Sequence, residues 1–204
     1  MNTNDVPITA FVLAVTVTDS NGPSEGGLIR DFLNPAVFLE RYKGTGEASK
    51  RGGLESIPAR GTYDEKIGVP ADFRDFAATL TVVALADKTA SAVSSEALQE
   101  LIDMRNANAA GIAKGIEIIN ASASETEAEA NIQKYNQTYD AAPHDKLVLD
   151  TGELEIMLAD LKNLDAWKQP NGSDSDALKT FLAAKERERV IWADNAKLQL
   201  GDAR

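Results

Sequence analysis

Cysteine is absent from this chain of 204 residues, and histidine occurs once. The first absence removes disulfides, thiolate zinc sites and thiol nucleophiles together. The one histidine, His144, sits between Pro143 and Asp145 with no serine-bearing elbow and no second imidazole. A single chain therefore cannot build a catalytic triad or a multi-histidine metal site from it. Basic residues are also short, 21 against 32 acidic ones, for a formal charge of -11. That sign repels phosphate backbones and anionic lipid, so no nucleic-acid partner is expected. Long apolar runs are missing: no stretch of about eighteen exists. The apolar residues 8–17 follow a leader containing Asp5 and no Lys or Arg. Neither membrane insertion nor a conventional signal peptide is expected. Aromatics make up only 6% while alanine is abundant, which favours closely packed helices.

Residues 1–70 hold much of the glycine and proline and read as an irregular portion. Within it Phe11, Leu13, Val15 and Val17 alternate with Thr16 and Thr18, the period-two pattern of a half-buried strand. Turn clusters are expected at 19–27 and 43–53, and a short helix over 28–42 interrupted at Pro35. Residues 71–204 read as a helical domain. Asp72 is placed to cap a helix carrying Phe73, Phe76, Leu80, Val83 and Leu85. Ser94 or Ser95 caps the next, whose stripe Leu98, Ile102, Arg105, Ala109, Ile112, Ile116 and Ile119 follows spacings of four and three. The small polar segment 120–126 interrupts it before Ala130, Ile132, Tyr135 and Tyr139 resume the pattern, and 141–146 reads as a hinge. A further helix starts near Asp150 or Thr151 with Leu154, Met157, Leu158, Leu161 and Leu164. The last follows the cluster 173–176, carries Leu178, Phe181, Leu182, Ile191, Trp192, Ala196 and Leu198, and is expected to end by Gly201.

No catalytic, cofactor or metal site is assigned, and an enzyme or small-ligand binder using Asp150 stands as a rival from a different class. Leu147-Val148-Leu149-Asp150-Thr151-Gly152 has the apolar-apolar-Asp-Thr-Gly order of an aspartic-protease loop, but a single copy needs a partner carboxylate from a second chain. Glu153 replaces the small residue expected next, and an N-cap at Asp150 or Thr151 with Glu153 in a capping box explains the string without catalysis. Gly44-Thr45-Gly46 and Lys50-Arg51-Gly52-Gly53 miss phosphate-loop spacing. Asp19, Asn21 and Glu25 miss the calcium-loop order and fit a β-turn. Asn171, Ser173, Asp174 and Asp176 read as a turn into an N-cap. Glycosylation-type triplets stand at Asn120, Asn136 and Asn171. The run Lys185-Glu186-Arg187-Glu188-Arg189 reads as a solvated face, or as a polar layer between subunits that sets helix register beside an anchoring Trp192.

The order of the C-terminal segments resembles the EspA-like hydrophilic subunits of type III secretion translocation filaments. An apolar segment at 73–85 precedes an alanine-rich helix at 96–119 and a short leucine-bearing helix at 153–163. A closing helix then has Asp176, Leu178-Lys179-Thr180-Phe181-Leu182-Ala183-Ala184-Lys185 and a final Lys197-Leu198-Gln199-Leu200. The resemblance implies a non-catalytic subunit exported without a cleaved signal, whose terminal helices form a coiled coil and polymerise into an extracellular filament.

The expected architecture is mainly α: a long helical hairpin or coiled-coil-like bundle with an irregular, partly β N-terminal portion. The expected function is a non-enzymatic structural subunit that self-assembles through packed helices, using Leu98, Ile102, Ile112, Ile116, Ile119, Leu178, Phe181, Leu182, Ile191, Trp192 and Leu198. Its partners are further copies and other assembly or secretion proteins, outside the cell or, on the second reading, in a virion; a cytoplasmic site stays open. That second reading is a virion or phage component such as a connector, tail or decoration protein, in which an extended N-terminal arm clasps a neighbour.

Overall fold

The computed structural model describes residues 1–33, 56–140, 151–167 and 173–201. Strands β1 (Ile8–Asp19), β2 (Gly22–Asp31), β3 (Asp75–Leu85) and β4 (Thr89–Ala92) come first. Helices α1 (Ser95–Ala121), α2 (Glu125–Asp140) and α3 (Thr151–Lys162), a 3-10 turn (Leu164–Trp167), α4 (Asp174–Asn195) and strand β5 (Gln199–Leu200) follow. The sheet order is β2-β1-β3-β4-β5, antiparallel except for the parallel β4–β5 pair. This corrects the expected mainly α helical hairpin: the protein is an α/β fold with a mixed five-stranded sheet among the described residues.

The error has a definite source in β3. Phe76, Leu80 and Val83 are spaced by four and three, as on a helix, yet they share one face of a strand. They do so because β3 carries a bulge: Val12 pairs with Val82 but Leu13 pairs with Leu80, leaving Thr81 as the extra residue. One inserted residue shifts the period-two pattern by one, so apolar residues three apart face the same way. The same device acts in β1, where Ile8 pairs with Leu85 and Ala10 with Ala84, and Thr9 is the extra residue. Ile8 and Phe11 thereby join one core cluster with Phe32 and Ile57.

Two compact units divide the chain. The first, residues 1–33, 56–101 and 197–201, holds the sheet. Its base is buried on both sides: Ile8 and Phe11 on one face, Ala10, Val12, Val82, Ala84 and Ala90 on the other. Tyr63 closes an aromatic group with Phe11 and Phe32, ring centroids 5.9 and 5.2 Å away. The alternating half-buried and exposed residues 61–70 form an extended strap. It leaves the sheet base, where Ile57 bridges Ile8, and reaches the β1 tip, where Arg74 N–H donates to Thr18 O at 2.6 Å.

The second unit, residues 102–140, 151–167 and 173–196, is helical. Gly115 on α1 admits α3 closely, since a Cβ there would meet Met157 Sδ at 2.5 Å and Leu154 Cδ2 at 3.2 Å. Trp167 meets Phe181 edge-to-face at 5.4 Å, seating the 3-10 turn on α4. The caps are those the sequence announces. Ser94 Oγ accepts from Ala97 N–H at 3.2 Å at the start of α1. Ser173 and Asp176 form a reciprocal capping box on α4. The small polar stretch after Ile119 ends α1, and Ser124 caps α2 by accepting from Glu127 N–H at 3.2 Å. Gly201 does not end the last helix: α4 stops at Asn195, and residues 199–200 pair with β4 instead. The helix expected over 28–42 is also corrected, because β2 runs through Asp31. His144, Asp150, Pro35, Asn171, the glycine clusters of 43–53 and the hinge 141–146 lie outside the described residues.

Candidate interaction surface

The distal parts of β1, β2 and β3 form an arm whose two faces differ. Antiparallel partners share a face, so the register places Leu28, Leu13 and Leu80 in one row across the three strands. Gly26, Val15 and Ala78 make the next row, and Ser24, Val17 and Phe76 the last. The opposite face carries Glu25, Thr16 and Ala77, then Pro23, Thr18 and Asp75. The alternation legible in β1 thus extends over three strands. The apolar face continues the core outward from Phe11, yet Leu80 is 51% and Phe76 39% exposed. The three rows contain no ionisable side chain, and Arg30 beside Phe11 and Asp19 at the tip bound them on the same face.

The arm is held in shape at both ends. At its tip Ser20 and Asn21 make the turn into Gly22, whose φ of 114° is a conformation glycine adopts without Cβ strain. Asp19 Oδ1 accepts from Asn21 N–H at 2.7 Å, and Ser20 Oγ donates to Asp72. That hydrogen bond holds the Asp72 carboxyl below its ordinary range. Asp19 and Asn21 therefore shape the turn, as a β-turn assigns them, whereas Glu25, grouped with them in the sequence, sits inside β2 opposite Thr16. Toward the base Arg30 Nε and Nη2 each lie 2.7 Å from the Glu65 carboxylate, a bidentate pair, and Tyr63 OH donates to Glu65 Oε2 at 3.1 Å. The Arg30 hydrogen bonds, above all, hold Glu65 below the usual carboxylate range, while burial, first among the causes, raises the Tyr63 phenol. This clasp ties the strap to β2.

The residues expected at a helical interface lie elsewhere. Leu98, Ile112, Ile119, Phe181, Trp192 and Leu198 are buried within the chain, and Ile102, Ile116, Leu178, Leu182 and Ile191 are partly buried. Arg105, in the middle of the α1 stripe, is also fully buried and donates to Asn195 O at 2.6 Å. The charged run 185–189 is split rather than solvated. Glu186 and Arg189 pair on the surface, whereas Lys185 and Glu188 are fully buried. Lys185 Nζ lies 2.8 Å from Asp160 Oδ2 on α3 and 3.4 Å from Glu188 Oε2, and 5.6 Å from the centre of the Phe181 ring. This polar layer lies inside the subunit and joins α3 to α4.

A cavity of about 210 Å³ lies beside the start of α2, lined by Ile119, Ser122, Glu125, Ala128, Leu161 and Leu178. It is smaller than the roughly 300 to 1,000 Å³ of ordinary ligand pockets. No helix among the described residues is long and apolar enough to cross a membrane. No protein-family model matches the chain, and comparison with curated proteins and with solved structures returns no match.

The sequence pattern reaches one strand of the arm's apolar face, Leu13 to Val17, and misses Leu28, Phe76, Ala78 and Leu80. The β-branched cluster Thr79, Thr81, Val82 and Val83 was the available signal for β3.

Proposed function

We propose that this protein is a non-enzymatic structural subunit that self-assembles, and that the β-arm presents the assembling surface. The observation that carries the reading is an apolar face on which Phe76, Ala78 and Leu80 are exposed beside half-buried Leu13, Val15 and Val17. A sheet with one apolar and one polar face is stable when another layer covers the apolar one. Charge supports a second copy as that layer. At -11 the chain repels itself over most of its surface, but two copies meeting through this face oppose no like charges.

Of the two assembly classes, a virion-type component clasping its neighbour through an extended arm fits better than a helix-packed secretion filament. The large apolar helix residues, Ile112, Phe181 and Trp192, are buried within the subunit, whereas Phe76 and Leu80 of the arm are exposed. Light scattering and negative-stain microscopy on the full-length protein across concentration test the reading. Rings or higher assemblies are expected; a strict monomer at every concentration overturns it.

A further inference from the structure

We propose that the outer edge of β2 pairs with β2 of a second copy of this chain, an inference that rests on the self-assembly reading and gives it a geometry. Phe32 N–H donates to Thr9 O at 2.9 Å at the end of the β1–β2 ladder. Hydrogen-bonded pairs alternate along an antiparallel pair. With the observed register, Ser24, Gly26, Leu28 and Arg30 turn their backbone groups toward β1. Glu25, Gly27 and Ile29 turn theirs outward, where they meet no backbone partner among the described residues. Residues 23–27 are exposed. An edge of this length with free donors and acceptors is a template for strand addition.

The side chains and outward groups of β2 are self-complementary, which makes a second copy the occupant. Identical strands paired antiparallel about a two-fold axis normal to the sheet keep each face on its own side. With the axis at Gly27, the outward set matches itself: Gly27 faces the partner's Gly27 and Glu25 faces the partner's Ile29. Ser24 then stands opposite the partner's Arg30, so no charge opposes a like charge. Centring one residue nearer the turn moves the partner's Pro23, which has no N–H, from Asp31 at the strand end to Ile29 inside the ladder. Centring one residue farther opposes Glu25 to the partner's Asp31. The Gly27 register also joins the two apolar faces side by side, doubling the surface that a further layer can cover.

The absence of cysteine makes the test clean. A Cβ at Gly27 meets nothing within 4 Å, so Gly27→Cys fits the strand. Across the axis its Cα would lie roughly 5.5 Å from its mate, inside the range of about 4.4 to 6.8 Å that disulfides span. Under mild oxidation the full-length Gly27→Cys protein is expected to form a disulfide dimer. Ser24→Cys is expected to stay uncrosslinked, because its copies would stand about 20 Å apart along the pair. Gly27→Pro removes an outward N–H and leaves the β1 ladder intact, so it should lower self-association at least tenfold with unchanged circular dichroism. Equal crosslinking of both cysteine variants, or of neither, overturns the proposal. Assembly that survives Gly27→Pro but not Leu80→Asp overturns the edge pairing and leaves the self-assembly reading standing. A wild-type monomer at every concentration overturns both.

Discussion

Thr81 Oγ1 donates to the carbonyl oxygen of Val12 at 3.1 Å, at the point where the β1–β3 register slips by one residue. Thr9, the extra residue of the other bulge, does the same across the sheet, donating to Ala84 O at 3.3 Å. Each bulge frees a backbone group from the ladder, and a threonine hydroxyl from the bulged strand meets the opposing carbonyl. Thr81→Val keeps the shape and removes the donor, with an expected loss of about 1 kcal/mol in urea unfolding. Deleting Thr81 removes the bulge together with its extra residue. Strict alternation then still places Phe76, Leu80, Val83 and Leu85 on one face, so a cooperative transition is expected to survive with a loss of similar size.

Gly115 and Met157 form a second tight relationship, between α1 and α3. Alanine is favoured over glycine inside a helix by about 1 kcal/mol. At this site an added methyl meets Met157, itself fully buried, and Leu154. Overpacking of about 1 to 3 kcal/mol outweighs the propensity gain. Gly115→Ala should therefore destabilise the helical unit, and should cost less in a Met157→Ala background. A double-mutant cycle by chemical denaturation measures the coupling; additive effects would show the contact to be unimportant.

Lys185 separates the buried from the exposed half of a charged run. Lys185→Met leaves the carboxylates of Asp160 and Glu188 without the ammonium between them. The expected loss is about 3 to 5 kcal/mol. Arg189→Met removes the surface partner of Glu186, three residues before it, and should cost under about 1 kcal/mol. Denaturation midpoints of the two variants give the comparison directly.

Glu65 carries a pH dependence of fixed sign. Its folded-state pKa lies below the ordinary glutamate value because Arg30 and Tyr63 hydrogen-bond the charged carboxylate. As pH falls the unfolded chain takes up the proton first, so this stabilisation is complete above the ordinary value and is lost as pH drops through the folded one. Thermal melts of wild type and Glu65→Gln between pH 7 and pH 3 should differ most at the neutral end and converge in acid. A gap that widens in acid contradicts the clasp.

Local signals in the sequence were strong for the helices and weak for the sheet. The caps at Ser94 and Ser173 and the interruption after Ile119 follow from side chains that satisfy the orphan amides of a helix end or compete for them. β3 was hidden because its bulge spaces Phe76, Leu80 and Val83 as a helix would. β2 was hidden because Gly26 and Gly27, read as turn residues, sit inside a strand whose order comes from pairing with β1. The burial of Lys185 and Glu188 was equally invisible, since it depends on Asp160, 25 residues away on another helix. For the arm, period two in β1 identified the apolar face but could not show that Phe76 and Leu80 stay exposed on it.

Sedimentation velocity across a concentration series, on wild type and Leu80→Asp side by side, tests the central claim most directly. Leu80 is half exposed, so the substitution should change monomer stability by no more than about 1 kcal/mol. It also places a charge in the middle of the face, which should weaken self-association by at least tenfold, about 1.4 kcal/mol. A wild type whose sedimentation coefficient rises with concentration beside a Leu80→Asp variant that stays monomeric is the predicted result. Indistinguishable behaviour of the two proteins contradicts assembly through the β-arm.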